Sequence, residues 1–288
     1  FLNIIIMSDS FFKFFDADRP PVDPSQWPPL NVKDFKTYPC APRVVLPKPD
    51  LPKEIGLAKV LLERKSERDF SGLPLSKKVI SSLLYWSAGL IHHGAEVDSP
   101  SQILYDKIWE GKRGLTRNED DAKKWRRPYP SGGARFPVEV YMAVFNGGDL
   151  KNGVYPVRTS PTSVGSKDRN SRREFNGPMV QTQSACSNGV YHYNVKEHFL
   201  ELIRNASWEN VRQALPYDFA KKAAAVLLLS FVGDRTLKKY GNLGYKLGLL
   251  EGGHIGQNIY LAGAALGLGV LALGGMDYDV VHKELDLG

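Results

Sequence analysis

Residues 239–275 read KYGNLGYKLGLLEGGHIGQNIYLAGAALGLGVLALGG, and this stretch decides the fold. After a Lys-Tyr pair and a Gly-rich turn, Ile255, Ile259, Ala262 and Leu266 recur at spacings of four, three and four, which predicts a helix with one apolar stripe. Glu251, His254 and Asn258 fall on a second, polar stripe. Gly252, Gly253, Gly256 and Gly263 allow close packing against the helix backbone. Val270-Leu271-Ala272-Leu273 then predicts a short buried strand that ends at Gly274-Gly275. A core helix feeding a core strand accounts for the apolar stripe. The polar stripe demands hydrogen-bond partners, and a ligand is one source of them.

Composition sets limits around this centre. The 288 residues are 42% hydrophobic and 24% charged, which is ordinary for a globular chain able to bury a sizeable core. The net charge of +7 suits an anionic ligand. No dense Lys/Arg tract or zinc-finger spacing points to nucleic acid, which is excluded as a partner. Cys40 and Cys186, far apart, form neither a disulfide framework nor a metal cluster, so no metal and a reducing, cytoplasmic compartment are expected. The opening FLNIIIMSDSFFKFF lacks the basic flank and apolar length of a secretory signal. It leaves open whether Met7 is a native start or the preceding residues mark a fragment edge. The longest apolar run, residues 260–273, is shorter than the ~20 residues that span a bilayer, and no membrane association is expected.

Outward from the centre, residues 1–53 are Pro-rich (RPPVDPSQWPPL, YPCAPRVVLPKPDLP) and predict an extended N-terminal arm without regular structure. Residues 54–288 form the main domain. A helix is predicted around 55–65, and a second from Ser76 as N-cap through Val79, Ile80, Leu83 and Leu84 to Gly89. The charged residues 95–128 predict one or two exposed helices. Residues 138–145 (VEVYMAVF) read as a strand, 189–193 and 198–202 as a hairpin, 208–215 as a helix and 223–231 as a central strand. Between the echoing GVYPVRTS and GVYHYNVKEH, residues 149–188 form a polar insertion without periodicity. Helices interleaved with hairpin-joined strands predict an α+β fold with a mainly antiparallel sheet, and no unit has dinucleotide-fold spacing.

Three stretches carry chemistry. Arg64, Lys65, Ser66 and Arg68 offer a planar donor fork, a point charge and a hydroxyl that can converge on a phosphate; a solvated basic surface is the competing reading. Ser131, Gly132, Gly133 and Arg135 in PSGGAR let backbone N–H groups approach a ligand beside a charge, although such turns are common before strands. Lys239 and Tyr240 can supply a base and a hydrogen-bond donor if burial lowers the lysine from its usual ~10.4; a surface Lys beside a packed Tyr is the alternative.

Taken in order, RKSxRxF, PSGGARFPVEVY, GVYHY, KYGxxGYKxxxLEGGHIGQN and GLGVxxxGG closely resemble the SagB/ThcOx branch of the nitroreductase-like flavoproteins over about residues 55–288. The resemblance implies a nitroreductase-like α+β fold, a homodimer and FMN held at the dimer interface. It implies an azoline oxidase that turns thiazoline or oxazoline rings of a ribosomally made peptide into thiazoles or oxazoles, alongside a cyclodehydratase partner. By the same resemblance Arg64, Lys65, Ser66 and Arg68 hold the flavin phosphate. Ser131, Gly132, Gly133 and Arg135 form a second flavin-contacting segment, and Gly274 and Gly275 pass the ring. Lys239 and Tyr240 are the catalytic pair. Lys65 stands where Arg is usual, the 149–188 insertion is atypical, and the family's C-terminal strand does not appear in the sequence. A flavin reductase of the nitroreductase type driven by NAD(P)H, and a non-catalytic peptide-docking scaffold, are the competing readings.

Overall fold

Alternation in VEVYMAV sends Val138, Val140, Met142 and Val144 to one side of a strand and Glu139, Tyr141 and Ala143 to the other, and both sides are buried. That strand is the middle of the molecule. The computed structural model describes residues 2–6, 35–50, 56–92, 125–147, 154–155, 188–205 and 208–285. In chain order the elements are β1 (Leu2–Ile6), β2 (Arg43–Val45), α1 (Leu57–Glu63), α2 (Lys77–Ala88), β3 (Ile91–His92), β4 (Trp125–Arg126), β5 (Val138–Val144) and β6 (Val154–Tyr155). They continue as β7 (Gly189–Asn194), β8 (Phe199–Arg204), α3 (Trp208–Gln213), β9 (Ala225–Phe231), α4 (Asp234–Tyr240), α5 (Leu243–Ala265), β10 (Leu271–Leu273) and α6 (Tyr278–Leu285).

Eight strands form one sheet in the order β10-β1-β9-β5-β7-β8-β2-β6. From β9 to β6 every pairing is antiparallel, whereas β1 runs parallel to both β9 and β10. The fold is therefore α+β, with a mainly antiparallel sheet flanked by helices, as the sequence predicts. On one face α2 and α5 pack: Ile80, Leu83 and Leu84 meet Ile255, Ile259 and the inward residues of β5, β7 and β9. Ser76 caps α2 by accepting from the Val79 N–H at 3.2 Å. The other face is covered by α3 and α6 through Val211, Leu215, Val281 and Leu285.

Several expectations need correction. The arm is not wholly irregular: Leu2–Ile6 and Arg43–Val45 are strands, because these Pro-free, β-branched runs sit against strands that offer unpaired backbone. Residues 7–34 lie outside the described set. So do all of residues 95–124, where exposed helices are expected; just beyond them Trp125 and Arg126 pair with His92 and Ile91 as strands. Arg127 is buried rather than solvated, its guanidinium set 4.9 Å from the Phe136 ring centroid. Within the 149–188 insertion the structure describes Val154–Tyr155, which pairs with β2, and Asn188, whose Oδ1 accepts from the Gly147 N–H at 3.3 Å. Helices α4 and α6 are absent from the sequence prediction.

The second face carries a buried polar chain. His192 bonds Glu201 through Nδ1 at 2.8 Å and Glu139 through Nε2 at 3.1 Å, and Arg235 holds the other Glu139 oxygen at 2.5 Å. Burial opposes a charge on His192, but the two carboxylates outweigh it and raise its pKa. Burial likewise opposes a charge on Glu139, yet His192 and Arg235 hold it down at about 2. The pairing energy of His192 is thus present below its ordinary value of 6.5 and lost as the pH rises through its raised value. Replacing His192 with Leu leaves two buried carboxylates short of a partner and is expected to cost about 3 kcal/mol or more at pH 7. In urea denaturation that penalty should shrink as the pH rises through the raised His192 value, where the native protein loses the same pairing energy.

Candidate functional site

The strand β5 is preceded by a tight turn whose backbone is unusual. Gly133, Ala134 and Phe136 have φ of +61°, +52° and +47°. Only the first is a glycine, so two side-chain-bearing residues occupy the left-handed region. Ser131 closes the turn: its Oγ accepts from the Phe136 N–H at 2.8 Å. A Cβ at Gly133 would collide with the Tyr240 hydroxyl and stand 3.1 Å from Lys239 Nζ, and one at Gly132 would lie 2.8 Å from Leu247. The absence of side chains at these two glycines is what lets the turn rest on α4 and α5.

Lys239 and Tyr240 end α4, and Gly241 (φ +53°) stops that helix. The pair lies between β9 and α5, as the last two residues of a seven-residue helix. Lys239 is 8% exposed, and its Nζ lies 4.9 Å from the Tyr240 ring centroid. One turn earlier on α4, Arg235 donates through a terminal nitrogen to the Phe136 carbonyl at 2.8 Å as well as gripping Glu139. The turn, the Lys-Tyr helix and β5 therefore meet at one guanidinium.

The polar stripe of α5 resolves residue by residue. His254 is exposed. Asn258 donates to the carbonyls of Pro128 (2.9 Å) and Ser87 (3.4 Å), so protein atoms, not a ligand, satisfy it. Glu251 is 1% exposed; its Oε1 accepts from the Val138 N–H at 3.3 Å, it bonds the Ser131 side chain, and its Oε2 makes no hydrogen bond. Desolvation pushes its pKa up to about 7, against the opposing pull of Ser131, Arg127 and Arg235.

A second cluster lies at the far end of α5. A cleft of about 240 Å³ is lined by Arg64, Lys65, Glu67, Tyr260, Ala264 and Val270, among others. The Arg64 guanidinium lies 5.4 Å from the Tyr260 ring centroid, and the Tyr260 and Ser66 hydroxyls are 3.1 Å apart. Tyr260 also accepts from the Ala272 N–H at 2.8 Å, and the Glu67 N–H donates to the Val270 carbonyl. Lys65 pairs with Glu67 at 2.9 Å, which holds Glu67 down at about 2. Arg64, Lys65 and Ser66 are thus brought together, whereas Arg68 is exposed beside them with its backbone N–H on Glu67. Gly274 and Gly275 follow β10; a Cβ at Gly274 would meet nothing within 4 Å, leaving its backbone open to a flat ligand.

A phosphate-bearing cofactor would meet Arg64 and Lys65 in the cleft beside Val270, whose lining also holds Glu63 and Glu67, then bare glycine backbone at Gly274, four residues (~13 Å) on and just past β10. Ser131, Gly132 and Gly133 form a separate cluster with Lys239 and Tyr240, and Arg135 sits in the same turn with its N–H on the Gly132 carbonyl at 3.4 Å. Within one chain the two clusters are about 20 Å apart along α5, from Leu247 to Tyr260. Tyr260 and Arg235 escaped the sequence reading because each acts through contacts remote in sequence. Tyr260 is hidden in an apolar run, and Arg235 lies in an unrecognised helix. Among the described residues no group of three or more His, Cys, Asp or Glu is arranged to hold a metal, and no helix is long and apolar enough to cross a membrane.

A sequence model of the nitroreductase family matches residues 61–288, and the chain belongs to that family, whose members are oxidoreductases that generally use a flavin. The nitroreductase-like protein MJ1384 of Methanocaldococcus jannaschii is 25% identical over 239 residues, covering 82% of this chain and 86% of that protein. The microcin B17-processing protein McbC of Escherichia coli is 25% identical over 165 residues, 56% of this chain and 49% of McbC, so the match spans about half of that relative. Among solved structures, a nitroreductase-like protein of Anabaena variabilis shares the fold with a TM-score of 0.55 at 19% identity, over 91% of this chain and 42% of its own.

Glu251 supplies a test of this arrangement. Its raised pKa means that its contribution to stability is full below about 4.5 and is lost as the pH rises through about 7. Glu251→Gln has no such loss. The unfolding free energy of the native protein relative to that variant should therefore drop by about 3 kcal/mol from pH 4.5 to pH 8. Urea denaturation of both across that range checks it, and a constant difference would show that Glu251 does not titrate there.

Proposed function

We propose that this protein is an FMN-dependent dehydrogenase that oxidises thiazoline or oxazoline rings in a ribosomally synthesised peptide to thiazoles or oxazoles. The observation that carries the reading is the seating of Gly133 directly against the Lys239–Tyr240 pair, which joins two of the stretches on which the azoline-oxidase resemblance rests. Similarity to a protein that processes microcin B17 supports a peptide substrate.

Arg64, Lys65, Ser66 and Arg68 would hold the flavin phosphate, with Tyr260 fixing Arg64 and Ser66. Gly274 and Gly275 would border the ring, and Ser131, Gly132, Gly133 and Arg135 would approach it from the turn. Bound FMN supplies the two-electron acceptor. The chain supplies the proton acceptor: Lys239 or Tyr240 takes the proton from the ring carbon next to the one that loses hydride, and the ring becomes aromatic. The near-complete burial of Lys239 excludes bulk water from that transfer.

The ~20 Å between the two clusters supports a homodimer in which the turn of one copy completes the cofactor site of the other. Leu57, Leu61 and Leu62 of α1 and Leu243 and Leu250 of α5 are exposed, Leu62 by 86%, and offer apolar surface for that contact. An azoline-bearing precursor peptide, a cyclodehydratase that forms its rings and a cytoplasmic location complete the proposal.

The purified protein should show flavin absorption bands and release FMN on heating; a colourless protein that cannot be loaded with FMN would overturn the cofactor assignment. Lys239→Ala combined with Tyr240→Phe is expected to keep FMN and to lose azoline oxidation by about 100-fold or more. Full activity in that variant would remove the pair from the reaction. Turnover driven by NAD(P)H with a nitroaromatic or quinone, and no azole formation, would favour the reductase reading to which the nitroreductase-like relatives point. Tyr260→Phe deletes the hydroxyl shared by Ser66 and Ala272, and should weaken FMN binding about five- to tenfold in a fluorescence titration.

A further inference from the structure

We propose that Arg235 and Glu251 are positioning residues for the Lys239–Tyr240 pair, clamping residues 131–136 from two sides in the left-handed backbone that seats it. The inference rests on the reading of Lys239 and Tyr240 as the reacting pair.

The turn cannot be holding itself. Three of four residues from Gly133 to Phe136 have positive φ, and one of them is a phenylalanine, whose bulk disfavours that region most. Such a conformation persists only where its surroundings over-determine it, and it does so here at a candidate site. The internal bond from the Phe136 N–H to Ser131 Oγ ties the turn's two ends, but both ends are in turn held from outside.

Glu251 reaches up from α5. It is bonded to the Ser131 side chain and to the Val138 N–H, so one carboxylate grips the first residue of the turn and the second residue beyond it. Its Oε2 is buried with no hydrogen bond, a costly condition for a carboxylate in a core. The contact with the turn gives that cost a physical reason. Arg235 reaches across from α4. One terminal nitrogen donates to the Phe136 carbonyl and the other is fixed by Glu139, itself fixed by His192. Lys239 lies four residues, one helical turn, beyond Arg235. The guanidinium that pins the turn therefore also sets the height and rotation of the helix end that presents Lys239 and Tyr240. Lysine at 235 has one ammonium and cannot reproduce two divergent contacts.

The test uses the full chain with Arg235→Met, Arg235→Lys, Glu251→Ala and Glu251→Gln. Amide hydrogen exchange is read in the flavin-free protein, and kcat and KM with an azoline peptide in the flavin-loaded one. Arg235→Met and Glu251→Ala should speed exchange in residues 131–138 about tenfold or more while β7 and β9 keep their protection. They should lower kcat by about 100-fold, as a displacement of about 1 Å does, and change KM less than about threefold. Glu251→Gln, which keeps an acceptor for the Val138 N–H, should recover most of both readouts, and Arg235→Lys should not. Unchanged exchange in the turn, or a uniform rise that includes β7 and β9, would overturn the proposal, as would a loss carried by KM alone. If the native protein oxidises no azoline, the proposed reaction falls, and the exchange pattern alone still decides whether the clamp exists.

Discussion

The contact on which most of the site depends is the buried ion pair between Arg235 and Glu139. It fastens α4 to the central strand, and the same guanidinium reaches the carbonyl of Phe136. An unpaired charge at either position would be untenable in a core this dry, so each residue requires the other. His192 and Glu201 extend the chain across β7 and β8, and Asn194 adds a bond to Glu201 at 3.3 Å. That chain lies on one face of the sheet; the opposite face, under α2 and α5, encloses a second buried polar set, with Ser81 and Tyr193 on the two nitrogens of His198 and Glu251 on the Val138 N–H.

Around this pair the molecule divides into two working ends joined by α5. Near its start, Leu247 and Glu251 support the glycine turn and, beside it, Lys239 and Tyr240. Near its end, Tyr260 orders Arg64, Ser66 and the beginning of β10. The helix passes close to its neighbours where it has glycine: a side chain at Gly248 would overlap Phe231, and one at Gly263 would overlap Val270. The helix thus sets the Lys239–Tyr240 end and the Arg64–Tyr260 end about 20 Å apart within one chain.

Much of this was legible in the sequence. Runs rich in β-branched, aromatic and aliphatic residues marked β5, the β7–β8 hairpin and β9, and the three-four spacing marked α2 and α5. Ser76 behaved as a cap because a hydroxyl before an apolar-periodic run has an orphan N–H to accept from. Arg64, Lys65 and Ser66 do gather at one cleft, and Gly133 does meet Lys239 and Tyr240. Other features had no local signal. Helix α4 is only seven residues long and lacks a wide apolar stripe. Arg127 sits in a charged run that reads as surface, yet aromatic rings and the carboxylates of Glu139 and Glu251 draw it inside.

By itself the sequence determined which segments alternate, which are periodic and where glycine frees the backbone, because these follow from the geometry of one strand or one helix at a time. It also carried the nitroreductase family, whose sequence model matches residues 61–288. Only the tertiary structure decided which polar residues became partners. Glu251 turned inward while His254, three positions on, turned to solvent, and Tyr260 joined two segments remote in sequence from it and from each other. Burial and pairing are set by what packs across from a residue, and that information lies on other elements of the chain.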